Sequence, residues 1–158
     1  MNTLARALEL FREAYALQMS GNLDEAIALY KASIDVHPTA EAYTFLGWTY
    51  SFQGRLDAAI EECLKAIQVD PEFGNPYNDI GAYLIEQGEP NAAVPWLEMA
   101  LRAPRYVSYH FAWFNLGRAY QAQSLITGAI SSFEKALEVQ PQYMPARRAL
   151  DSARKMLH

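Results

Sequence analysis

The stretch "FLGWTYSFQG", residues 45–54, decides the fold, because the chain repeats its pattern as "NDIGAYLIEQG" at 78–88 and "FNLGRAYQAQS" at 114–124. In each copy a large apolar residue precedes glycine, and Tyr or Leu follows three places later. The glycines are Gly47, Gly81 and Gly117, at steps of 34 and 36 residues. A second column keeps the same step: Ala26/Tyr30, Ala59/Cys63, Ala93/Leu97 and Ala129/Phe133, followed by Ser33, Ala66, Ala100 and Ala136. Pro38, Pro71, Pro104 and Pro141 close the units. Self-similarity at such a period signals a stacked array of one supersecondary unit.

Each unit divides into two helical segments. In "AEAYTFLGWTYSFQ" the residues Tyr43, Leu46, Trp48 and Tyr50 recur at helical spacing until Gly54 ends the run. In "LDAAIEECLKAIQV" the residues Ala59, Ile60, Cys63, Ala66 and Ile67 form an apolar stripe, and Glu61, Glu62 and Lys65 are expected in water. Asp70-Pro71 stops that helix, since proline disfavours helix in the residue before it. Gly47 and Ala59 carry no bulk beyond Cβ, so two antiparallel helices can approach closely there.

The pattern resembles the tetratricopeptide repeat. The fourth unit matches it at Trp113, Leu116, Gly117, Tyr120, Ala129, Phe133, Ala136 and Pro141. The second matches at Tyr43, Leu46, Gly47, Tyr50, Ala59, Ala66 and Pro71, departing at Cys63. The third keeps Tyr77, Ile80, Gly81, Leu84, Ala93, Leu97 and Ala100, and the first has Ala14 where the glycine belongs. The resemblance implies an all-α, right-handed α-solenoid forming one domain over 1–158, with repeats at about 3–39, 40–73, 74–107 and 108–141. Residues 142–158, with Ala146, Ala149, Leu150, Ala153 and Leu157 on one side, read as the capping helix that an exposed solenoid end needs. The recurring Leu-Gly is a packing signature and carries no chemistry.

Composition narrows the function. The chain has 158 residues and a formal charge of −5, which argues against nucleic acid as partner and against an RNA-binding helical repeat. The charge is uneven: residues 1–79 hold five Lys/Arg against twelve Asp/Glu, and residues 80–158 hold eight against six, so net −7 faces net +2. No apolar run approaches the ~18 residues of a membrane span, and the N-terminal "MNTLARALELF" lacks the pattern of a secretory signal. One cysteine, Cys63, excludes an internal disulfide and fits a reducing, cytoplasmic address.

Phosphate loops, HExxH, GxSxG and CxxC are all missing, and His37, His110 and His158 are scattered, so neither catalysis, a metal nor a cofactor is expected. Cys63 falls in a packing column, where a thiol is inert. Function is sought instead on the concave wall, which the resemblance assigns to the first helix of each pair. The expected peptide-binding groove comprises Phe11, Tyr15, Thr44, Trp48, Phe52, Asn78, Asp79, Phe111, Phe114, Asn115, Arg118 and Arg147. Aromatic residues are favoured anchors in such grooves, which points to a non-catalytic interaction scaffold for a peptide segment of a partner protein.

The carboxylate clamp of some members of the family is disfavoured: Asn115 and Arg147 match it, but Asn78, Ala82 and Tyr143 fill its other places. Arg118 and Arg147, from consecutive first helices, are expected to share one carboxylate of an acidic segment. The long step across "RAPRYVSYHFAWF" is expected to put Tyr106 and Tyr109 beside the groove, and Pro95 to loosen the preceding helix, making the middle the most adaptable part. The first helix carries Leu4, Leu8, Phe11, Tyr15 and Met19 on a face that its own pair cannot cover, so a weak homodimer through the N-terminal helix is the alternative function.

Overall fold

Short-range chemistry starts and stops the helices. Asn2 opens the first by accepting the Ala5 N–H at 3.1 Å, and Thr39 opens the third by accepting that of Ala42 at 3.1 Å. The structure, a computed structural model, describes residues 2–157; Met1 and His158, the last residue of the predicted cap, lie outside the described residues. Nine helices follow among them: α1 (Thr3–Met19), α2 (Leu23–Val36), α3 (Ala40–Phe52), α4 (Leu56–Val69), α5 (Asn75–Glu86), α6 (Pro90–Arg102), α7 (Tyr109–Ala122), α8 (Ile126–Val139) and α9 (Met144–Lys155). No strand occurs among the described residues.

Helices pack as consecutive pairs, α1 with α2 through α7 with α8, and each pair stacks on the next until α9 covers α8. The first helices also touch one another in series, α1–α3–α5–α7–α9, whereas α2, α4, α6 and α8 make no such contacts among the described residues. First helices are therefore crowded on the inside of a curve, and second helices are splayed on the outside. The glycine columns allow the close pairing. A methyl group at Gly47 would lie 2.8 Å from the Ala59 carbonyl oxygen, and one at Gly81 or Gly117 would fall on the Leu97 side chain or the Phe133 ring. Tyr30, Leu46, Ile80, Leu97, Phe133 and Leu150 are the large side chains sealed in this way. Cys63 lies in the same core, and burial pushes its thiol pKa up, as its packing place implies.

Three expectations change. Glu62 does not stand in water: it is buried and takes the Lys65 ammonium at 3.2 Å, because α4 turns that edge towards α2 and α3. Helix α6 runs unbroken through Pro95, since the proline and Asn91, whose carbonyl loses its usual partner to it, are both exposed residues. The long α6–α7 connection is not slack either. Its Arg105 backbone bridges Phe73, donating to the Glu72 carbonyl at 3.0 Å and accepting from Gly74 at 3.1 Å. The Arg105 guanidinium meets Asp70 at 2.6 Å and sits over the Phe73 ring at 4.7 Å. Gly74 leaves the space into which Tyr106 packs.

Candidate binding groove

Aromatic side chains from α1 and α3 form a continuous run on the inner wall. Phe11 and Tyr15 meet Phe45 at ring distances of 5.1 and 5.8 Å; Phe45 meets Trp48 at 5.8 Å, and Trp48 meets Phe52 at 4.9 Å. Phe11 also rests on the buried Tyr30, so its inner edge belongs to the core. Phe52 and Tyr15 are exposed, and Trp48 is half-buried. A second aromatic group lies at the other end. Phe111 and Phe114 both meet Tyr143 edge-on, at 5.6 and 5.5 Å, and Phe114 also packs on Phe133. His110 stacks against Phe111 and Tyr143, and burial lowers its pKa.

Between the two groups α3, α5, α7 and the α6–α7 connection enclose a cavity of about 350 Å³. Thr44, Phe45, Trp48, Asn75, Asn78, Asp79, Tyr106, Ser108 and Phe111 line it. Tyr106 is thus beside the groove as the long repeat step implies, while Tyr109 packs edge-on against it at 5.5 Å. Phe45 and Asn75 are first-helix residues of the expected inner wall, whereas Ser108 lies outside it. The signal for Ser108 was the two-residue excess in the repeat step, since that excess places it over the cavity.

The polar side chains are more tied up than the sequence implies. Thr44 is buried and its hydroxyl donates to the Ala40 carbonyl at 2.7 Å. Asn115 and Asn78 are buried and bonded to each other, the Asn115 Nδ2 donating to the Asn78 Oδ1 at 3.0 Å. Arg118 in turn donates to the Asn115 Oδ1 at 2.9 Å and lies over the Phe114 ring at 5.9 Å. Arg147 is exposed on α9 and forms no ion pair among the described residues. The two arginines expected to work together therefore stand differently: one is held by an amide, the other is free.

At the far end of this amide chain, Asn78 Nδ2 donates to Asp79 Oδ1 at 3.5 Å. Protein surrounds Asp79 closely, although the cavity leaves part of its surface open. Burial pushes its carboxyl up to about 7, against the lowering effect of the Asn78 amide. Its charge adds to the burial that raises the nearby phenols of Tyr83 and Tyr106. No group of metal-ligating side chains is assembled among the described residues, and no described helix is long and apolar enough to cross a membrane.

Family models described as tetratricopeptide repeat match residues 10–40, 40–73, 77–103 and 112–143. The chain belongs to the tetratricopeptide-repeat family. The matched segments reach into all four helix pairs, and α9 follows the last. A TPR repeat-containing thioredoxin, TTL4 of Arabidopsis thaliana, is 29% identical over 51% of this chain and 12% of its own length. The first curated relatives are matched over only 12–26% of their length, so this chain corresponds to a fraction of each. The crystal structure of MamA superposes with a TM-score of 0.75 at 26% identity, covering 90% of this chain and 82% of that one. The first tetratricopeptide repeat of Spaghetti (RPAP3), solved bound to the HSP90 peptide SRMEEVD, superposes with a TM-score of 0.70 at 24% identity, over 75% of this chain and 93% of that one. These neighbours share the repeat solenoid.

Proposed function

We propose that residues 2–157 act as one non-catalytic interaction unit, in the cytoplasm, that binds an extended or helical segment of a partner protein along its concave wall. The observation that carries this reading is the unburied aromatic run Tyr15–Phe45–Trp48–Phe52 leading into a cavity of about 350 Å³. Partly exposed rings beside a concavity are the usual anchors of peptide recognition. A tetratricopeptide-repeat neighbour that holds a peptide adds support. Arg147, free on α9, and Arg118 beside it in the helix order offer an acidic residue of the segment its contact at the C-terminal end.

Selecting a random peptide library against the immobilised protein, and measuring the winners by fluorescence anisotropy, tests the groove. The selected peptides should share a consensus and bind Trp48→Ala and Phe111→Ala at least about tenfold more weakly, the effect of removing an anchor. Winners that bind both variants as tightly as the wild type would place recognition elsewhere.

A second reading rests on α1, where Leu4, Leu8, Tyr15 and Met19 are exposed together. A stripe of this size suits a weak dimer through α1. Sedimentation equilibrium should show dimer at tens of micromolar, roughly the range of a modest interface. A monomer at millimolar concentration eliminates it.

A further inference from the structure

Among the nine side chains lining the central cavity one is charged, Asp79. It has no ion-pair partner among the described residues. The amide chain explains how it is held. Arg118 fixes the oxygen of Asn115, which turns the Asn115 nitrogen to Asn78, which in turn presents its own nitrogen to Asp79. The positive charge of Arg118 therefore stops two amides short of the carboxyl. Asp79 receives one long hydrogen bond, and its Oδ2 has none among the described residues.

That arrangement selects the occupant by charge. An apolar side chain entering the cavity would strip water from the carboxyl and return nothing, and an acidic one would repel it. A cation is attracted by the carboxylate, and the rings of Phe45, Trp48 and Phe111 lining the cavity are further partners for it. The net −7 of residues 1–79 favours its approach. We propose that the cavity takes one basic side chain of the docked segment, its cation paired with Asp79 and its stem lying against the aromatic lining. The inference rests on the groove reading and names the chemistry of its central anchor.

The test uses blocked tripeptides, acetyl-Gly-Arg-Gly-amide against its citrulline counterpart, which has nearly the same shape without the charge. Binding is followed by NMR through the Trp48 indole N–H. The arginine peptide should bind at least about tenfold more tightly than citrulline, and the preference should vanish in Asp79→Asn. Lysine against acetyl-lysine should repeat it. If Asp79→Asn does not fold, acidification of the wild type supplies the second readout. Affinity for the arginine peptide should fall about tenfold or more between pH 7.5 and 5.5, because the cation binds the carboxylate and protonation removes it. The other groups facing Asp79 do not titrate there, since burial raises Cys63 on α4, Tyr83 on α5 and Tyr106 in the α6–α7 connection. Equal affinity within both peptide pairs, binding by none of the four, or a preference surviving in Asp79→Asn overturns the inference. Library winners that use the aromatic wall yet carry no basic residue would remove the basic anchor while leaving the groove intact.

Discussion

Equivalent places on α3 and α5 carry opposite chemistry. Two residues before the packing glycine stands Phe45 on α3 and Asp79 on α5; three residues before it stand Thr44 and Asn78. The backbones are placed alike by Gly47 and Gly81, each against its second helix. The N-terminal stretch of the wall is consequently an aromatic surface, and the centre is a carboxyl at the end of an amide chain. The lesson is that the repeat constrains the columns facing the paired helix and leaves the inward positions free to differ.

If that division holds, equivalent packing residues should cost the same in either region whatever the wall beside them does. Leu46 and Leu116, both about 2% exposed, occupy one column. Leu46→Ala and Leu116→Ala should each lose ~2–5 kcal/mol in urea unfolding, the range for a large side chain removed from a core. A loss under 1 kcal/mol at either site would show that the wall, not the column, holds that unit together.

The carboxyl of the centre should reveal itself as the reverse kind of site, one whose removal stabilises. Its pKa rises from 3.8 to about 7 on folding, so the folded state holds the proton more tightly. The stability this confers is fully present below about pH 4 and is lost as pH rises through 7. At about 1.4 kcal/mol per unit the loss is at most ~4 kcal/mol, and contact with cavity water reduces it to ~2. Asp79→Asn should therefore be more stable than the wild type at pH 8 by about 2 kcal/mol in urea unfolding and match it near pH 4. A variant that is less stable at pH 8 would mean that the carboxylate is already paired.

Almost all of the fold could be read from the chain, because Gly47, Ala59 and their counterparts act by lacking bulk, a property that needs no knowledge of neighbours. The wall was legible only in part. The family resemblance puts Trp48, Phe52, Phe111 and Asp79 on it, but a resemblance does not reveal hydrogen-bond partners. Asn78 and Asn115 looked available and are spent on each other, a contact across 37 residues. Arg118, read as half of an anion site, also orients an amide. The pinned α6–α7 connection depends on Arg105 meeting Asp70 and Phe73, which no periodicity marks.

Aromatic positions on the wall should matter little to folding. Trp48 touches Phe45 and Phe52 but seals no helix pair, so Trp48→Ala should cost only about 1 kcal/mol in the same unfolding experiment. A cost equal to that of Leu46→Ala would move Trp48 into the core and shrink the groove to its central cavity.

The smallest difference between regions lies in the turns inside each pair, where packing contributes nothing. Gly21, Gly54 and Gly88 adopt φ of +86°, +75° and +81°, and the fourth turn places Ser124 at +62°. No atom lies within 4 Å of a methyl group added at any of the three glycines, so only the backbone conformation distinguishes the residues. Serine in the left-handed region strains its Cβ by about 1–2 kcal/mol, and glycine recovers that while losing up to about 1 kcal/mol through the freer unfolded chain. Ser124→Gly should therefore raise stability by about 0.5 kcal/mol, whereas Gly54→Ala, which introduces the same strain, should lower it by a similar amount. Thermal melts of the two variants measure both at once. A Ser124→Gly variant that melts lower than the wild type would show that the fourth turn is held by its side chain, and the four pairs would no longer share one way of turning the chain.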